Sequence, residues 1–184
     1  MPFCGRKTDA LNNLAAAERL GDMDVELKPL LDAINSMPDY YTTSSCAGRV
    51  VLMEDLGSKK DSRFVGKWHS KVSSDEVLEL LTPKKGVVWF RYESPILHVM
   101  ARTMEKAEEF LLLCRESGFK RAGIQSLKEE RILIEVLSTE RIDAPVMAGE
   151  KLLVPAEYVR YLVEQANKKH EAGAKKLEKL LKRL

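Results

Sequence analysis

Cysteine is too scarce in this chain to staple it. Cys4, Cys46 and Cys114 are its only three, and none sits in a Cys-x-x-Cys pair. They cannot build a disulfide framework, they argue against a zinc site, and they suit a reducing cytoplasm. No apolar run is long enough to span a bilayer, and the opening Met1-Pro2-Phe3-Cys4-Gly5-Arg6-Lys7 lacks the apolar region of a secretion signal. A cytoplasmic protein without membrane attachment is therefore expected. No Gly-x-Gly-x-x-Gly follows a strand-like run and no phosphate-loop motif is present, so any nucleotide-like cofactor is held in a non-Rossmann way. The net charge of +2 is too small to announce nucleic-acid binding, and only a local concentration of cations could carry that function. Asn and Gln are few beside the many Lys, Arg and Glu, a composition that also suits heat-stable proteins.

What is present describes a folded, water-soluble chain. The 45% hydrophobic and 32% charged content rules out disorder, and 184 residues suffice for one domain with a sizeable core or two small lobes. The most unusual stretch is Tyr41-Thr42-Thr43-Ser44-Ser45-Cys46-Ala47-Gly48-Arg49, followed by the apolar Val50-Val51-Leu52-Met53. Small polar side chains beside a glycine let a backbone approach a ligand, and their hydroxyls and N–H groups can face an anion. Arg49 adds a planar donor for a carboxylate or phosphate. The plain alternative is a polar turn with Arg49 on the surface.

Taken in order, residues 9–20 read as a helix capped by Asp9 and ended by Gly21. A second helix carries Leu27, Leu30, Leu31 and Ile34, with Pro29 in its first turn. Residues 40–45 and 49–54 are strand-like, and 55–62 form a charged loop containing Lys59 and Lys60. Residues 63–71 return as a strand, and Ser73-Ser74-Asp75-Glu76 is a capping box opening a short helix. A strand over 87–92 is broken at Ser94-Pro95 and resumes over 96–102. Thr103 caps a helix that Gly118 ends. Residues 120–127 and 131–138 make a hairpin around Lys128-Glu129-Glu130, Pro145 makes 142–147 irregular, and 152–154 form a short edge strand. Pro155 then opens a helix to Leu184, about thirty residues and roughly 45 Å long. Its end either projects or packs on the N-terminal helices. The expected fold is α+β and non-Rossmann, with mixed or antiparallel sheets, packed helices and a long C-terminal helix. It forms one domain over 1–184, in which the order ββαβ then βαββ hints at two related halves.

Several side chains could carry chemistry. Strand alternation places Lys67 and His69 on one face and Trp68 on the other. His69 could accept a proton and Lys67 could bind an anion, while Trp68 either stacks on a base or belongs to the core. Glu93 and His98 flank the Ser94-Pro95 break as a candidate acid/base or orienting pair. A thiol nucleophile at Cys46 is the weaker reading, since most such cysteines are small packed side chains. The final helix gathers Lys168, Lys169, Lys175, Lys176, Lys179, Lys182 and Arg183, a solvated face or a phosphate contact. Lys59, Lys60, Lys84 and Lys85 are similar.

The wording of the signature stretch goes further. Thr42-Thr43-Ser44-Ser45-Cys46-Ala47-Gly48-Arg49 resembles the signature of the tRNA wybutosine-synthesizing protein 3 family. Gly66-Lys67-Trp68-His69, Glu93-Ser94-Pro95-Ile96-Leu97-His98-Val99, and Ser117-Gly118-Phe119 with Ala122-Gly123-Ile124 look like its further blocks, in order, over nearly the whole chain. The resemblance implies an S-adenosylmethionine-dependent methyltransferase acting on N4 of a wyosine-type base 3′ of the anticodon in tRNA-Phe, within wybutosine biosynthesis. On that reading Ser44, Ser45, Cys46, Gly48 and Arg49 form a loop expected to bind the cofactor carboxylate or a tRNA phosphate, and His69 or His98 handles the proton with Glu93 orienting. Lys67 is expected to neutralise a phosphate or the base's aminocarboxypropyl acid group, Trp68 to contact the substrate base, and no metal is expected. The rival reading is a non-catalytic RNA-binding module, which needs the basic surface but not the histidines.

Overall fold

The computed structural model describes residues 2–58, 60–129 and 131–184. Lys59 and Glu130, assigned above to the charged loop and the hairpin turn, lie outside them. The elements run α1 (Phe3–Leu20), α2 (Lys28–Ser36), β1 (Tyr40–Cys46), β2 (Arg49–Asp55), β3 (Arg63–Trp68), α3 (Ser74–Glu79), β4 (Val87–Glu93) and β5 (Ile96–Ala101). They continue with α4 (Met104–Glu116), β6 (Gly123–Lys128), β7 (Arg131–Leu137), β8 (Arg141–Ala148), β9 (Lys151–Leu152) and α5 (Ala156–Leu181). The α+β class, the antiparallel sheets and the long C-terminal helix are as expected. Among the described residues no helix is long and apolar enough to cross a membrane.

The chain divides into two compact units by its internal contacts. One comprises Met1–Ala47, Pro95–Thr139 and Gly173–Leu184, the other Gly48–Ser94 and Glu140–Ala172. The first unit holds a sheet of order β1-β5-β7-β6, antiparallel throughout. One sheet face packs Leu97, Val99 and Ile134 against Leu31 and Ile34 of α2, Phe110 and Cys114 of α4, and Leu177 and Leu180 at the end of α5. The last turns of α5 therefore bury apolar side chains in this core. On the opposite face Phe3 of α1 stacks edge-on against Tyr41, with ring centroids 5.1 Å apart, beside Met100. That contact explains why α1 begins at Phe3 and not at Asp9: a buried aromatic in the first turn outweighs a missing polar cap. Buried Thr42 is tied to α2, donating its N–H to Asn35 Oδ1 at 2.8 Å and accepting from Asn35 Nδ2 at 2.9 Å.

The second unit holds the order β3-β2-β4-β8-β9. Its core face carries Val50, Leu52, Val88, Phe90 and Tyr92, packed against Val77 of α3 and Val159, Val163 and Ala166 of α5. The capping box forms as read: Glu76 N–H donates to Ser73 Oγ and Ser73 N–H to Glu76 Oε2. Residues 142–147 are not irregular but the middle of β8. Pro145 is accommodated because a bulge displaces the register there, with Val88 opposite Met147 and Trp89 opposite Pro145. β9 pairs only with Met147 and Ala148, so no ladder N–H is required of Pro145 on that side. Glu54 is fully buried at the end of β2. Its carboxylate accepts from the Lys85 and Gly86 N–H groups at 2.8 and 3.0 Å and from Arg63 Nε at 2.6 Å, closing the loop into β4.

Candidate active site

In the first unit three strands bring a serine, a histidine and a carboxylate into line. On β1, Thr42 pairs with Val99 and Ser45 with Leu97, so Thr43 and Ser44 together oppose His98. Such a bulge re-aims side chains out of strict alternation. Ser44 Oγ lies 2.6 Å from His98 Nδ1. On the other side His98 stands directly opposite Glu135 of β7, and its Nε2 is 3.2 Å from Glu135 Oε1. A second bulge, between Ile124 and Ser126 of β6, puts Gln125 beside the same carboxylate. Gln125 Nε2 donates to Glu135 Oε1 at 2.9 Å. A carboxylate only accepts, so it holds the imidazole proton on Nε2 and leaves Nδ1 to accept from the Ser44 hydroxyl. The His98 and Glu135 side chains are 23% and 29% exposed and Ser44 is at the surface, so the far end of the chain is open to a ligand.

Sequence reading missed Glu135 and Gln125. The available signal was a lone carboxylate between Ile134 and Val136 in an apolar strand. Its meaning depends on a long-range register.

In the second unit Arg49 of β2 stands opposite Glu93 of β4, with Nε–Oε2 at 2.5 Å. The carboxylate that partners Arg49 is thus Glu93, and the one that partners His98 is Glu135. Gly48 has φ +101°, a left-handed conformation that disfavours any side chain at the entry to β2. Lys67 is exposed on β3, its ammonium 5.9 Å from the Phe64 ring, and the Arg49 guanidinium lies 5.7 Å from the same ring. Trp68 is half-buried and packs against the core of this unit. β3 ends at Trp68, so His69 lies in the following bend, half-buried, and does not share a strand face with Lys67. Ser45 and Cys46 close β1 half-buried, paired with Leu97 and Ile96, and the Ala47 N–H donates to Asp24 Oδ2 at 2.7 Å.

A family model described as Methyltransferase TYW3 matches residues 5–184. The tRNA(Phe) 7-((3-amino-3-carboxypropyl)-4-demethylwyosine(37)-N(4))-methyltransferase 1 of Pyrococcus abyssi is 42% identical over 181 residues, 97% of this chain and 93% of that protein. The enzyme of the same name from Methanocaldococcus jannaschii, without the final numeral, is 39% identical over 173 residues, 92% and 90% of the two chains. Among solved structures, the PH1069 protein from Pyrococcus horikoshii matches with a TM-score of 0.93 at 39% identity, covering 98% of this chain and 95% of that one.

Proposed function

The chain belongs to the TYW3 methyltransferase family, and from that premise we propose that it methylates N4 of 7-(3-amino-3-carboxypropyl)-4-demethylwyosine, the base 3′ of the anticodon in tRNA(Phe). A tRNA substrate suits work in the cytoplasm, which is part of the proposal. S-adenosylmethionine is the donor such a family implies, and its sulfonium supplies an already activated methyl group. The donor's amino-acid end carries one carboxylate and one ammonium. Arg49 and Glu93, side by side, offer the complementary guanidinium and carboxylate, and Gly48 leaves the neighbouring backbone bare. These residues fit that end of the cofactor.

With the methyl group activated, the protein must align the acceptor and dispose of one proton. The observation that carries the reading is the Ser44–His98–Glu135 chain, which can do so. Ser44 Oγ takes the proton leaving N4 as its own hydroxyl proton passes to His98 Nδ1. Glu135, steadied by Gln125, balances the imidazolium that forms. Lys67, exposed and with no carboxylate bonded to it among the described residues, is suited to a tRNA phosphate.

The test is methyl transfer from labelled S-adenosylmethionine to tRNA(Phe) carrying the 4-demethyl base. One methyl per tRNA is expected. His98→Ala should lower the rate by about 10²–10⁴ while calorimetric binding of the donor is kept. Tight tRNA binding with no transfer would instead make the chain an RNA-binding module.

A further inference from the structure

The sheet of the second unit has a second face, turned away from the cluster that packs on α3 and α5, with Val51 its fully buried centre. A bulge at Val65 creates it. Leu52 pairs with Gly66 but Met53 pairs with Phe64, one residue out of step. In unbroken register Phe64 would face Glu54 on the core side. The bulge turns it to the side of Met53 and Arg49, where it is 55% exposed. On β4, Trp89 and Arg91 stand opposite Met53 and Val51 on that same face. The Arg91 guanidinium lies 5.6 Å from the Trp89 ring and its Nε 2.9 Å from Asp143. The indole Nε1 of Trp89 is buried with no hydrogen-bond partner among the described residues. A cleft of about 600 Å³ lies between Phe64, Met53 and Arg91 and the loop carrying Gly57, Ser58 and Ser62. Across this face of the sheet cations outnumber carboxylates: Arg49, Lys67, Arg91 and Arg141 against Asp55, Glu93 and Asp143.

We infer that this face is a docking platform for the unpaired nucleotides of an RNA loop, with one base stacked on Phe64 and the flanking phosphates on Lys67 and Arg91. An exposed aromatic ring flanked by cations on an antiparallel sheet serves every base, because each has a π-face, and it disfavours a duplex, whose bases are already stacked. Neither an apolar protein segment nor a helix explains cations on both sides of the ring. The inference rests on the proposed tRNA substrate only for the choice of RNA.

The test is fluorescence anisotropy at fixed salt with an anticodon stem-loop of tRNA(Phe) and, separately, with the same stem as an uninterrupted duplex. Phe64 is at the surface, so its variants should fold, which thermal melting verifies. Phe64→Ala should weaken loop binding about 5- to 150-fold. Phe64→Tyr should restore it and Phe64→Leu should not. Lys67→Ala should reduce the slope of log K against log salt by about 0.7. Leucine binding as well as phenylalanine, or the duplex binding as tightly as the loop, would overturn the platform. Methyl transfer absent while loop binding still depends on Phe64 would sink the proposed activity and support the platform. Transfer present with loop binding indifferent to Phe64 would do the reverse.

Discussion

Replacing Glu135 by glutamine probes the proton chain at its least obvious member. Glu135 Oε1 accepts from both His98 Nε2 at 3.2 Å and Gln125 Nε2 at 2.9 Å. Glutamine keeps the shape and removes the charge that would balance an imidazolium. Unit charges about 4 Å apart interact by about 4 kcal/mol at an effective dielectric near 20. With 23% and 29% of the two side chains exposed, solvent screens much of this, leaving on the order of 1–2 kcal/mol. The transfer step should therefore slow about 5- to 30-fold. If the new amide turns its NH₂ toward His98, Nε2 must accept, the ring proton moves to Nδ1, and Ser44 loses its acceptor. The rate then falls further. The assay is single-turnover methyl transfer with donor and tRNA saturating, beside calorimetric donor binding. A slowed transfer step with unchanged donor affinity is expected. Ser44→Ala should cost less in the Glu135→Gln background than alone, because both act through one imidazole. Glu135→Gln turning over at the wild-type rate, or losing only donor affinity, would refute the relay.

Arg49→Ala should weaken donor binding about 10- to 100-fold by deleting charge-assisted hydrogen bonds, and Arg49→Lys should restore it only in part, in calorimetric titrations. Unchanged donor affinity, with lost discrimination against tRNA lacking the aminocarboxypropyl chain, would reassign the pair to that chain. Glu54 has its carboxyl held below the ordinary value of 4.5 by the Gly86 N–H and the Arg63 guanidinium, despite its burial. A group depressed in the folded state stabilises above its unfolded value, and that contribution is lost as pH falls through the folded value. Below about pH 4.5 the wild-type melting temperature should thus fall more steeply than that of Glu54→Gln, and parallel curves would contradict this. Burial pushes the Cys114 thiol up to about 12, so it should resist alkylation in the folded protein near pH 8, by mass spectrometry, while exposed Cys4 reacts.

Local signals were legible wherever local physics decides. The Ser73 capping box, the Thr103 cap, Gly118 after α4 and the apolar stripe of α5 are each fixed within a few residues, and each forms as read. Errors fell where distant partners decide. Asp9 looks like a helix start, but Phe3 buries against Tyr41 from another element and carries the helix back to the terminus. Pro145 looks like a strand breaker, but a bulge and an open edge accept it. Within the candidate site, Ser44, His98, Arg49 and Glu93 were named. Which of them pair, and the part of Glu135 and Gln125, were not legible, because a carboxylate's partner depends on strand order, and β5 lies next to β7 while β2 lies next to β4.

The same dependence on register decides which hydroxyl of the signature run acts. If β1 kept the pairing set by Tyr40 with Ala101, Thr43 would face His98 and Ser44 would fall opposite Leu97, which is buried in the core. One extra residue on β1 instead brings Ser44 to the imidazole and restores the alternation by Ser45. Because residues 42–45 all carry hydroxyls, no residue-type argument separates them. Thr42 is used structurally, bonded to Asn35 in the interior, while Ser44 is turned outward two positions later. Phe64 follows the same logic in the other unit, moved by a bulge from the core side to the open side of its sheet. A bulge leaves an unpaired position in the ladder and bends the strand, so a regular sheet would be the default for stability alone. That three of the register breaks fall beside Ser44, Gln125 and Phe64, the other being the one that admits Pro145, follows if these side chains are placed for a ligand and not for the core.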